Sequence, residues 1–135
     1  MAIHLNPMPR EELYLISLTG FVSGKELLPT LEALWLQDDF RPSYNQIWDC
    51  RGIDELDMDL PDLTALVKLL RTFVPPEACE PGKIAVVTAR FVDYTFARAL
   101  FGLTKSCRHP RKVFHSTVEA EVWLSIAKES ARTES

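Results

Sequence analysis

Apolar and polar positions along the chain change period several times, and each change marks an element. Ile3 and Leu5 alternate with polar neighbours, Pro7, Pro9, Arg10 and Glu11 make a turn, and 13–19 is a β-prone run, together a hairpin. Gly20 is expected to end that run. Ser23 and Glu26 have the S-x-x-E spacing in which each side chain satisfies a free N–H at a helix start, and Leu27, Leu28, Leu31, Leu34 and Trp35 follow at helical spacing. Pro29 removes a donor and clashes with the preceding turn, so this helix is expected to begin near Leu28 or to bend there. The segment 46–50 reads as a strand stopped by Arg51 and Gly52.

Asp59 is placed to cap the next helix, whose first turn tolerates Pro61 and whose buried face is Leu63, Leu66, Val67, Leu70 and Val74, with Pro75 and Pro76 as its stop. The run 83–88 is apolar without alternation, as expected of a central strand covered on both faces. A helix over 91–102 is predicted to turn Val92, Phe96, Ala99, Leu100 and then Leu103 inward, with Gly102 as its C-terminal cap. A short strand over 112–115 precedes a helix with Ser116 and Glu119 at capping-box spacing and Ala120, Trp123, Leu124 and Ala127 on its inner face. The order β-β-α-β-α-β-α-β-α calls for right-handed crossovers, parallel strands after the hairpin, and helices on the faces of the sheet. A single domain over 1–128 with a polar tail over 129–135 is the expected organisation.

The composition fits this α/β reading. The chain has 135 residues, 47% of them apolar, enough for one core. Three cysteines, Cys50, Cys79 and Cys107, lack metal-ligand spacing and suggest a reducing cytoplasm, and no apolar run is long enough for a stable membrane insertion. A net charge of −4 argues against general nucleic-acid binding. The charge is unevenly spread, however: 49–80 carries eight acids against three bases, and 81–112 carries seven bases against one acid. Such a layout steers an anionic partner or lets two copies attract, unless these are ordinary solvated faces.

Reactive chemistry finds little support. No glycine-rich phosphate loop is present, His4, His109 and His115 have no spacing to a nucleophile or to a metal set, and Cys50 closes an apolar strand as a small buried hydrophobe would. The carboxylates Asp54, Glu55, Asp57 and Asp59 read as a solvated acidic loop. No catalytic, metal or cofactor site is therefore expected. On the predicted helix over 91–102, Tyr94, Arg98 and Phe101 fall on the side away from the apolar stripe, a composition typical of interfaces unless the loop that follows covers them. Beyond the carboxyl ends of the strands, where open α/β sheets tend to bind ligands, Phe21, Arg51, Arg90 and Phe91 would line a crevice.

The element order, with QIWDCRGIDELDMDLPDL, KIAVVTARFVDYTFARALF and KVFHSTVEAEVWL, resembles the STAS-like domains grouped with bacterial anti-sigma-factor antagonists over nearly the whole chain. The resemblance is to small stand-alone members, in which an aspartate closes the second long strand and an Ala-x-x-Trp-Leu run, here Ala120, Trp123 and Leu124, sits on the last helix. It implies a mixed sheet of about five strands with an antiparallel edge and about four helices. It also implies phosphorylation-switched docking through an Asp-Ser dipeptide. That dipeptide falls on Asp57 and Met58, and methionine has no hydroxyl to modify. Docking here is therefore expected to be constitutive, with Asp57 and Asp59 holding charge beside a helix start, unless both only cap that helix. The leading expectation is a non-catalytic, cytoplasmic module that binds a protein partner and pairs with a second copy of itself. The alternative is a small-molecule or lipid-binding module with an apolar pocket between the sheet and the Tyr94 helix, and an enzyme comes third.

Overall fold

A computed structural model of the chain describes residues 1–72, 82–103 and 110–134, with the backbone alone for 72 and 126–134. Strands β1 (Ala2–Met8), β2 (Leu13–Ser23), β3 (Asn45–Asp57), β4 (Ile84–Val87) and β5 (Arg111–Phe114) alternate after the hairpin with α1 (Gly24–Trp35), α2 (Leu60–Thr72), α3 (Phe91–Leu103) and α4 (Thr117–Glu134). The strands form one sheet in the order β1-β2-β3-β4-β5, antiparallel between β1 and β2 and parallel elsewhere. This is the α/β mixed sheet with four helices anticipated from the pattern.

The hairpin is closed by a 3-10 turn at Pro9–Glu11 and by Glu12 in the left-handed region, φ 51°, whose N–H donates to the Pro9 carbonyl at 3.2 Å. Pro7 is tolerated because β1 is an edge strand, where a missing donor leaves no ladder bond unmade. Side-chain alternation on β2 then divides the core. Tyr14, Ile16, Leu18 and Val22 are buried with Leu27, Leu31 and Leu34 of α1, Trp48 and Ile53 of β3 and Leu66 of α2. On the opposite face Ile47, Ala85, Val87 and Phe114 are buried with Ala120 and Leu124 of α4, and Trp123 packs beside them.

Two strands run further than the local pattern indicated. β2 does not stop at Gly20 and β3 does not stop at Arg51 and Gly52, because the two pair in parallel through to Ser23 opposite Asp57. The register shifts between Ser17 and Thr19 and between Gly20 and Phe21, and Gly20 supplies φ +81°, a bulge that bends the pair without ending it. Glycine marks an irregularity in both cases, and the long-range pairing overrides it.

α1 begins at Gly24, ahead of the expected start at Leu28, and contains Pro29. The donor lost at Pro29 leaves the Lys25 carbonyl without its intrahelical partner in the first turn, where Lys25 is exposed. Ser23 makes no side-chain cap bond, so the capping box with Glu26 is not formed; the Glu26 carboxylate lies 3.5 Å from the Met1 amino group. Asp59 does cap α2, accepting from the Asp62 N–H at 2.9 Å, while Asp62 accepts from the Asp59 N–H at 3.3 Å. At α4 the Ser116 hydroxyl accepts from the Val118 N–H at 3.2 Å.

α3 is rolled relative to the expected stripe. Asp93 and Ala97 are buried and Phe96 and Leu100 half-buried, whereas Val92 is 59% and Leu103 48% exposed and Ala99 faces out. Apolar residues surround this helix, so spacing alone admits more than one inward face, and the ion pair of Asp93 described below selects among them. Gly102 lies within the helix without positive φ and is not its cap. Val74, Pro75, Pro76, Cys79, Cys107, His109 and the basic loop with Lys105 and Arg108 fall outside the described residues, as does the side chain of Ala127.

Candidate functional site

β4 is short, and this shapes the candidate site. β3 pairs with β4 only from Gln46 opposite Ile84 to Asp49 opposite Val87, so Cys50–Asp57 of β3 projects beyond the end of β4. The start of α3 fills that step. Arg90, in the turn before α3, donates through Nη1 to the Asp54 carbonyl oxygen and through Nε and Nη2 to the two carboxylate oxygens of Asp93, each at 2.9 Å. Asp93 is 4% exposed, and the bidentate guanidinium is what makes burial of its charge tolerable. The Arg90 pKa is raised, chiefly by this hydrogen bond and further by the charges of Asp93, Asp54 and Glu55.

Inward of this ion pair lies a cavity of about 140 Å³ between the sheet and α1, α2 and α3. Leu18 and Val22 of β2 and Trp48 and Ile53 of β3 form much of its floor, with Ile84 and Val86 of β4 beside them. Leu27 and Leu31 of α1, Leu66 and Leu70 of α2, and Phe96, Ala97 and Leu100 of α3 form its roof. The Trp48 ring is held by its Nε1–H, which donates to Gln46 Oε1 at 3.0 Å. Few polar side chains reach the lining, among them Thr88, Cys50, Asp93 and Arg111.

The expected site residues separate into different surroundings. Met58 turns inward and lines the cavity, and so does Phe101, which is half-buried beneath the Arg111 guanidinium at 5.0 Å. Tyr94 is half-buried and stacks on His115, ring centres 4.5 Å apart, with Arg98 over its ring at 5.8 Å. Of the strip foreseen as an exposed interface, only Arg98 is exposed, because α3 is rolled. Phe91 is 81% exposed at the helix start. Asp57 is exposed at the end of β3, and Asp59 is engaged as the α2 cap. Arg51 does not join Arg90 in a crevice: it grips Asp49 with two bonds of 2.9 Å, and alternation puts both on the face away from the cavity. That contact holds the Asp49 pKa below its ordinary value.

Thr88 and Asp93 were not read as site residues from the sequence, and an apolar pocket between the sheet and the Tyr94 helix was anticipated only as the alternative to protein docking. The spacing Arg90-x-x-Asp93 is a signal for the ion pair, since residues three apart on a first turn are neighbours. Cys50 was read as a small buried hydrophobe and is half-buried against the core, where burial first, then the charges of Asp49 and Asp93, push the thiol pKa up to about 12. At neutral pH it carries its proton and is a poor nucleophile. Among the described residues no group of three His, Cys, Asp or Glu side chains is placed to hold a metal ion, and no helix is long and apolar enough to cross a membrane.

No protein-family model and no curated protein matches the chain. A solved structure does: an uncharacterized protein of the DUF3478 family with a SpoIIAA-like fold, from Shewanella loihica PV-4, superposes with a TM-score of 0.56 at 17% identity, over 91% of this chain and 92% of that one. The fold is therefore SpoIIAA-like, which is the STAS-like fold expected from the sequence.

Proposed function

We propose that the chain is a non-catalytic STAS-like module that binds a small apolar molecule between its sheet and helices α1, α2 and α3. One observation carries this reading, the cavity of about 140 Å³ walled almost entirely by apolar side chains. A concave and predominantly apolar pocket with a few polar groups is the usual form of a small-molecule site. Titration calorimetry with methylcyclohexane tests it. The wild-type chain is expected to bind, and Ala97→Phe, which fills the cavity from α3, is expected to abolish binding while the far-ultraviolet circular dichroism is kept. Equal binding by both proteins, or by neither, contradicts the reading.

Docking of a protein, the reading favoured by the sequence, stands second. Phe91, Leu60 and Phe21 are 81%, 74% and 46% exposed, at the start of α3, the start of α2 and the end of β2, and Asp57 is exposed at the end of β3. An apolar set with an acidic rim suits a partner, a second copy included. Sedimentation of the full chain tests the self-pairing form: a concentration-dependent dimer lost on Phe91→Glu is expected, and a monomer throughout excludes it.

A further inference from the structure

The end of β4 carries a polar group that the fold leaves unused. Thr88 is 1% exposed, and among the described residues its hydroxyl is the one buried side-chain polar atom without a hydrogen-bond partner. Its backbone is satisfied, because the Thr88 N–H donates to the Phe114 carbonyl at 2.9 Å. Alternation puts Thr88 on the face of Ile84 and Val86, and all three line the cavity. Cys50, the β3 residue that follows Asp49 past the last β3–β4 pair, also lines the cavity. Thr88 and Cys50 are the neutral hydrogen-bonding side chains past the last β3–β4 pair in a predominantly apolar lining that also includes Asp93 and Arg111.

We propose that Thr88 recognises the polar end of the ligand, and that the ligand is a compact neutral molecule, a hydrocarbon ring or short chain bearing one hydroxyl or carbonyl oxygen. The proposal rests on the ligand-binding reading above and adds the chemical class. Size argues for a compact molecule, since apolar cavities of about 150 Å³ in proteins accept benzene. Hydrogen bonding argues for one oxygen, because the threonine hydroxyl both donates and accepts and has no other claim on it.

Charge argues for neutrality. Asp93 shares the lining with Thr88 and its carboxylate is matched by Arg90, and burial first, then the charges of Asp49 and Asp93, hold the Cys50 thiol in its neutral form, so among the described lining residues at this end no cation is placed to pair with an anion. Arg111 pairs with Ile84, at the far end of β4 from Thr88, and is engaged with the Phe101 ring and carbonyl. A cation would meet apolar walls and a carboxylate whose two oxygens already accept from Arg90 at 2.9 Å.

Titration calorimetry of the full chain with cyclohexanol, methylcyclohexane and cyclohexanecarboxylate separates this proposal from the reading beneath it. Cyclohexanol is expected to bind about three- to tenfold more tightly than methylcyclohexane, the range of one neutral hydrogen bond. Thr88→Val is expected to remove that preference and leave methylcyclohexane binding unchanged, whereas Thr88→Ser keeps it. Equal affinities in the wild type, a preference that survives Thr88→Val, or tighter binding of the carboxylate overturns the assignment of Thr88 and leaves the cavity reading standing. Binding of none of the three overturns both.

Discussion

Thr88 sits in an environment that makes its hydroxyl a cost to the unliganded protein. A buried hydroxyl without a partner loses its bonds to water and gains none, a penalty of about 1–3 kcal/mol. Thr88→Val is accordingly expected to raise the unfolding free energy by about 1 kcal/mol, read from urea denaturation; a loss of stability would mean that the hydroxyl has a partner after all. Cys50 yields a pH prediction. Its folded pKa is raised from 9.0 to about 12, mainly by burial. Below about pH 9 both folded and unfolded chains keep the proton and this contribution is fully present; between about 9 and 12 the unfolded chain releases it first, so stability falls as pH rises. At pH 10.5 the wild type is expected to have lost about 2 kcal/mol more than Cys50→Ala does, relative to pH 7. Equal losses would place the thiol in water. The two arginine pairs differ in kind: Arg90 compensates a carboxylate that is 4% exposed, and Arg51 one that is 21% exposed. Arg90→Met is expected to lower the melting temperature well beyond Arg51→Met, because only the former strands a buried charge.

Helix ends and strand ends show where local pattern sufficed and where it did not. Asp59 three residues before Asp62 was legible as a cap, since the bond it makes is local. Ser23 and Glu26 had equally good spacing, yet β2 continues in pairing with β3 up to Ser23 itself and the serine makes no cap bond. Asp59→Ala is therefore expected to cost about 1 kcal/mol, and Ser23→Ala almost nothing, in thermal or chemical denaturation. The face of α4 was legible too, because Ala120, Trp123 and Leu124 fall on one stripe at helical spacing. The face of α3 was not: with Phe91, Val92, Tyr94, Phe96, Leu100 and Phe101 distributed around it, the orientation depends on Arg90 gripping Asp93 and on the Asp54 carbonyl of β3. The overhang of β3 past β4 depends likewise on partners distant in sequence, and Gly20 and Gly52 read locally as stops.

At the scale of the molecule, the sheet has unequal covering. α4 packs over Ile47, Ala85, Val87 and Phe114 on one face, and three helices share the other, where they leave a cavity of about 140 Å³. The overall architecture was legible in the order of elements, since right-handed crossovers from a hairpin leave few arrangements of the strands. The pocket was legible only as an alternative, because the same apolar side chains that wall it would also fill a closed core, and only their three-dimensional disposition separates the two cases. The most direct measurement is a methyl-resolved nuclear magnetic resonance titration of the full chain with cyclohexanol. The account predicts saturable shifts in the methyl groups of Leu18, Val22, Ile53, Leu66, Val86 and Thr88, all of which line the chamber. Shifts confined instead to outward residues such as Val118 and Val122, or no saturable shift at all, would contradict it.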